Sequence, residues 1–196
     1  MLVLNRRPGE SIVIEPDLRV TVLSVTDRRV WIGLCVGGAS RTLRVCATVV
    51  SADEARLEIV PMSGVQFVGD RVRITMATDD DPAGAARAGL AIDRRPGERI
   101  EVEDDVWVSV ASVSKGNPTV TFGGSAIGDE LGITLIRPAG SYVRLGVDAP
   151  NRRVYREELW EAVQASGGTR DHAGVLPEPE VAAAAPADLA AGSVTG

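Results

Sequence analysis

The sequence predicts an all-β fold, and three observations carry that reading. Apolar residues make up 44% of 196 residues; they are mainly Val, Ile, Leu and Ala, and only 4% of the chain is aromatic. Such aliphatics suit a pleated, half-buried surface. The apolar residues recur in short runs, many alternating with polar ones at the two-residue period of a strand. Turn signals such as "RPGE", "EPD" and "GGAS" separate the runs, because proline and glycine supply the dihedrals that a chain reversal needs.

The predicted strands follow in order. "LVLN" and "SIVIE" flank the first Pro-Gly turn, and "LRVTVLSV", "RVWIGLCV", "TLRVCATVV", "ARLEIV", "VQFV" and "RVRITMAT" come next. "DDDPAGAARAG" is then polar and rich in Gly and Ala, which marks 78–88 as a linker. After it the pattern restarts. "LAIDRRPGERIEVEDDVWVSVASV" lies over "LVLNRRPGESIVIEPDLRVTVLSV" without a gap: Leu90 over Leu2, Arg94 and Arg95 over Arg6 and Arg7, Pro96-Gly97-Glu98 over Pro8-Gly9-Glu10. The same offset of 88 residues sets "VRLGVDA" over "ARLEIVP". This reads as a duplication, with units at 1–77 and 89–164.

Within the second unit, "IGDELGITLIRPAGSYVRLGV" repeats the strand-turn-strand pattern of "VEDDVWVSVASVSKGNPTVTF". Each unit therefore reads as two abbreviated copies of one strand module. The first copy keeps the opening strand with its twin arginines, and the second keeps a closing segment, "RRVYREELWEAVQ". That segment predicts a short strand running into a helix. Leu159, Trp160 and Val163 are its apolar positions, and Glu157 and Glu158 suit the positive end of the helix dipole. Residues 165–196 are Ala/Pro-rich, without aromatics, and predict a disordered tail in which Pro186 interrupts any helix.

Composition excludes several classes of function. A net charge of −6, about −3 without the tail, argues against coating nucleic acid by charge alone, but leaves room for a local basic site. Cys35 and Cys46 sit in apolar runs, there is no C-x-x-C, and His172 is the one histidine. Zinc binding or a Cys–His nucleophile has little to draw on; two reduced, buried thiols are the main reading and a disulfide between them the alternative. No nucleophile with a base and no phosphate loop is recognisable, so no enzyme, metal or cofactor is expected. The chain opens on a strand rather than a signal peptide, and no apolar run reaches the roughly 18 residues of a membrane span. The expectation is a cytoplasmic protein with no membrane partner.

"MLVLNRRPGESIVI" closely resembles the start of the carbon storage regulator family, and "IGDELGITLIRPAGSYVRLGVDAPNRRVYREELWEAVQ" resembles the rest of such a protein. The resemblance implies interleaved antiparallel sheets with a projecting C-terminal helix, and binding to single-stranded GGA elements in mRNA leaders that represses translation or alters message stability. It also implies a composite RNA site, the first strand of one subunit beside the last strand of the other. On that pattern each unit here imitates a fused dimer. The RNA-binding residues implied are Leu4, Arg6 and Arg7 on the first opening strand, Ile92, Arg94 and Arg95 on the second, and Val154, Tyr155 and Arg156 on the closing strand. Tyr155 stands where the family usually has histidine.

The main expectation is that the strand carrying Arg94 lies beside the strand carrying Arg156, because the first unit has Val68 where the second has Arg156. "PNRRVYREE" is also one residue shorter than usual in the family, and a one-residue slip turns a strand side chain to the other face. A small regulatory RNA, a flagellar-assembly antagonist protein and a further copy of the chain are the other partners implied. The rival reading is a protein-interaction module of the same fold that has lost RNA binding. Gly9 and Gly97 read as turn residues, Glu10 and Glu98 as partners of nearby backbone or arginine groups, and Trp31, Trp107 and Trp160 as packing residues.

Overall fold

The computed structural model of the protein describes residues 1–15, 17–26, 29–37, 42–60, 62–68, 71–76, 89–139 and 142–165. The all-β class holds, with one short helix. The proposed linker 78–88 and residues 166–196 of the proposed tail lie outside the described residues.

In the first unit, β1 (Leu2–Arg6) and β2 (Ser11–Ile14) flank the Pro-Gly turn. β3 (Leu18–Val25), β4 (Val30–Val36), β5 (Thr42–Val49) and β6 (Ala55–Val60) extend β2 into an antiparallel meander. A hairpin follows, β7 (Met62–Val68) with β8 (Arg71–Met76). The second unit repeats the plan: β9 (Leu90–Arg94), then a meander of β10 (Arg99–Val102), β11 (Val106–Ser114), β12 (Asn117–Gly124), β13 (Gly128–Ala139) and β14 (Tyr142–Asp148). It closes with β15 (Val154–Arg156) and α1 (Glu157–Ala165). No helix among the described residues is long and apolar enough to cross a membrane.

The period-two pattern decides which face is buried. Leu18, Val20 and Val22 of β3, Leu57 and Ile59 of β6, and Val72 and Ile74 of β8 point inward, while the residues between them are less buried. They join Val108, Phe122, Leu131 and Leu145 from the second meander in one core. Each fully buried aliphatic contributes about 1.5–3 kcal/mol, so a core nearly without aromatics suffices. Cys35 and Cys46 are reduced, Cys46 buried and Cys35 half-buried. Burial, helped by nearby Glu58, pushes the Cys46 thiol up to about 11, which keeps it protonated and unreactive near neutral pH.

The sheets are interwoven between the two units. One has eight strands in the order β1-β14-β13-β12-β11-β10-β8-β7, and the other seven, β15-β2-β3-β4-β5-β6-β9. Each meander is thus flanked by the other unit's opening strand at one side and the other unit's closing segment at the other. β1 pairs with β14 (Leu4 opposite Leu145), and β9 pairs with β6 (Ile92 opposite Leu57). The sequence reading had each unit exchange strands within itself; the exchange instead runs between units. The reason lies in the Pro-Gly turn, which takes the chain out of one sheet and into the other, so each opening strand is delivered to the sheet built by the other unit.

Candidate nucleic-acid interface

The twin-arginine turn is built the same way twice. Glu10 N–H donates to the Arg7 carbonyl at 3.0 Å and Glu98 N–H to the Arg95 carbonyl at 3.1 Å. Gly9 and Gly97 sit at φ 88° and 90°. Proline followed by a glycine at positive φ is the sequence of a type II turn. The carboxylates of Glu10 and Glu98 accept from Arg7 N–H and Arg95 N–H, each at 2.9 Å. These glutamates therefore hold the turn that fixes where each arginine pair leaves its strand.

Beyond the turn the two edges differ. At the first edge, Leu4 and Arg6 point inward, 6% and 3% exposed, and Arg7 is exposed. Arg6 Nη1 lies 3.4 Å from Glu158 Oε1 and 3.8 Å from Glu10 Oε2, and donates to the Asn5 carbonyl at 3.3 Å. Its Nε and Nη2 are buried without a hydrogen-bond partner, a cost of about 1–3 kcal/mol for a buried polar group.

β15 lies antiparallel against β2, with Val154 opposite Ile14, Tyr155 opposite Val13 and Arg156 opposite Ile12. Val154 packs half-buried against the core. Tyr155 meets Trp160 of α1 with ring centroids 5.4 Å apart at 43°, and Arg156 is exposed. The helix is held by its first turn: Glu157 pairs with Arg19 and Glu158 with Arg6. Those glutamates engage other arginines, and among the described residues Arg156 makes no ion pair. The same holds for Arg7, Arg153 and Arg144, the last exposed and directly opposite Asn5.

At the second edge, Ile92 and Arg94 are half-buried and Arg95 is exposed. Arg94 Nη1 donates to the Asp93 carbonyl at 3.4 Å, and its Nε is buried without a partner. The flank of β10 that corresponds to the β15 side of β2 is taken by β8, which runs parallel to β10. Its arginines are occupied: Arg73 lies 3.2 Å from Glu101 and 3.4 Å from Asp104, and Arg71 lies 4.0 Å from Glu101. Asp93 replaces Asn5 and takes a two-pronged pair from Arg56, at 2.7 and 3.0 Å. The hydrogen bond from Arg56 holds the Asp93 carboxyl below the usual carboxylate range.

The expected neighbours Arg94 and Arg156 are therefore not neighbours. β9 and β15 are the two outer strands of the seven-stranded sheet, about 29 Å apart at the usual strand spacing. The structure instead links the end of β1 to the closing segment: Arg6 contacts Glu158 in the first turn of α1, and β15, with Val154, Tyr155 and Arg156, pairs with β2, the strand that follows Leu4, Arg6 and Arg7 through the turn. Ile92, Arg94 and Arg95 stand at the far edge. Sequence reasoning missed Arg144 and Arg19. The repeat carried a signal for both: Arg144 and Arg56 occupy the same place in the two units, opposite Asn5 and Asp93, and Arg19 falls where the second unit has Trp107.

Among the described residues no cluster of His, Cys, Asp and Glu is arranged to hold a metal. What the first edge presents is exposed guanidinium groups beside a half-buried valine and an aromatic pair. Such a surface can receive phosphates and unstacked bases.

Residues 1–44 match the model of the CsrA global regulator protein family. The chain is similar to the translational regulator CsrA of Desulfovibrio desulfuricans, 40% identical over 60 residues, which cover 30% of this chain and 77% of that one. It is also similar to the translational regulators CsrA of Oleidesulfovibrio alaskensis (50% over 38 residues) and Geobacter sulfurreducens (49% over 39), each covering 19% of this chain and 49% of the relative. No solved structure matches. The 40% identity across more than three quarters of a family member, together with the match at the N-terminus, shows that this chain belongs to the CsrA global regulator protein family.

Proposed function

We propose that the protein is a post-transcriptional regulator that binds single-stranded GGA elements in mRNA leaders and represses translation initiation or alters message stability, with no covalent step. The observation that carries this reading is the first edge, where Arg6 of one unit's opening strand reaches Glu158, just past the other unit's closing strand, and that closing strand pairs with β2. Arg7 and Arg156 are its exposed cations. One guanidinium matches the O6 and N7 acceptors of guanine, and the other neutralises phosphate. Val154 is the apolar ledge, with Tyr155 and Trp160 beside it. Arg6 and Leu4 brace the edge from below. The relatives' description as translational regulators supports the same reading. A small regulatory RNA bearing the element would compete for this edge.

With a net charge of −6, attraction to RNA depends on a few local cations and is salt-sensitive. A gel shift with a GGA hairpin tests this. Wild type binds, binding weakens with added salt, and Arg156→Ala weakens it about tenfold, the scale of one good guanidinium–base contact. Absent or salt-insensitive binding overturns the reading. It would favour a protein-interaction module of the same fold, for which the one specific observation is the second edge, where Glu101 and Asp104 already occupy the β8 arginines.

A further inference from the structure

We infer that each molecule offers RNA one binding edge, not two, and takes a single GGA element. The inference rests on the RNA-binding reading above. It comes from following the approximate twofold relation between the units and finding where it fails. The meanders, the opening strands and the twin-arginine turns obey it: β1 on β14 corresponds to β9 on β6, and the turn hydrogen bonds repeat. Everything that would complete a second RNA edge departs from it.

The first departure is the closing strand. β15 runs antiparallel to β2, but its counterpart β7 is displaced outward and β8 fills the place beside β10 in the opposite direction. A reversed strand cannot present side chains in the same order to a bound nucleotide. The second departure is charge. Arg152, Arg153 and Arg156 align with Gly64, Val65 and Val68. The arginines that β8 brings are paired with Glu101 and Asp104, and Arg56 is clamped by Asp93, whereas its counterpart Arg144 faces Asn5.

The third departure is the helix anchor. Arg19 pairs with Glu157 to seat α1. At the matching position the second unit has Trp107, which lies over Gly123, with the Arg99 guanidinium 4.0 Å from the ring centroid. A Cβ on Gly123 would run into the Trp107 ring, so this face is filled by the tryptophan and offers no equivalent of the Arg19–Glu157 pair.

Titration of the full chain with a short hairpin carrying one GGA, followed by native mass spectrometry, tests the inference. One RNA per chain at saturation is expected, and an RNA with two GGA elements should recruit two chains. Two RNAs per chain would overturn the single edge and leave RNA binding standing. No complex at any concentration would overturn the RNA-binding reading and this inference together. Two variants identify the edge: Arg156→Ala should weaken binding about tenfold, and Arg95→Ala by less than about twofold. The reverse order would overturn the assignment.

Discussion

The first edge, made by the β1–β2 turn with β15 beside β2, and the second, made by the β9–β10 turn with β8 beside β10, start from one design. Both carry the Arg-Arg-Pro-Gly-Glu turn, with the same backbone bonds and nearly the same glycine φ. They part at positions outside the core. Asn5 becomes Asp93, Arg19 becomes Trp107, and an antiparallel closing strand gives way to a parallel one. The difference separates what the architecture needs from what a ligand needs. The exchanged strands and their turns are required in both halves, because each half completes the other's sheet. The charge pattern on the rim is required in neither, and it has changed in one. Arg56 and the β8 arginines of the second rim are held by acids, which leaves Arg95 as its exposed cation from the turn.

Core positions test the half of this comparison that should be symmetric, and with the largest effect. Leu57 and Leu145 are equivalent, both fully buried, and each faces the other unit's opening strand. Leu57→Ala and Leu145→Ala should each cost about 2–5 kcal/mol of stability in urea melts, the range for buried leucine truncation. Because β1 and β9 are exchanged, both variants should unfold in a single transition that includes both units. Two separate transitions would mean that the halves fold independently.

A position buried beneath Trp107 tests the asymmetric half. Gly123→Ala forces the Trp107 ring off its seat and should cost about 1–3 kcal/mol by overpacking. The equivalent Cys35→Ala changes a half-buried residue opposite Arg19 and Thr42 and should cost less than about 1 kcal/mol. Equal costs would mean that Trp107 does not cover the second unit's face in the way that distinguishes the edges.

Much of the frame was legible in the sequence because its signals are local. Alternation along "RLEIV" and "RVRITM" fixes which side chains face inward, and Pro-Gly fixes the turn. Which strand lies beside which was not legible. The inward face of β1 fits an apolar neighbour from either unit, and only the path of the chain through residues 7–10 selects β14. The expectation over Arg94 and Arg156 fails for that reason: it sets the opening and closing strands side by side inside one unit, and the strand exchange runs across two. The parallel insertion of β8 beside β10 leaves no mark on composition or period. The Asn5 and Asp93 difference was visible in the repeat, but it acquires meaning only when register sets Arg144 and Arg56 opposite those residues.

That last pair allows the two edges to be interchanged by single substitutions, with a smaller effect than any core change. The hydrogen bond from Arg56 lowers the Asp93 pKa in the folded protein. A carboxylate with a depressed folded pKa adds stability above its unfolded value, about 3.9, and loses it as pH falls through the folded value. The difference in stability between wild type and Asp93→Asn should therefore be complete at neutral pH and close as pH drops below about 4. It should also shrink in 1 M salt, since both partners are exposed to solvent. The reverse exchange, Asn5→Asp, sets a carboxylate opposite Arg144 on an exposed face. It should leave the melting profile nearly unchanged and weaken binding to a GGA hairpin by about threefold to tenfold, through the loss of one available cation. If Asn5→Asp left RNA affinity untouched, Arg144 would play no part at the first edge, and the contrast between the edges would rest on the closing strand alone.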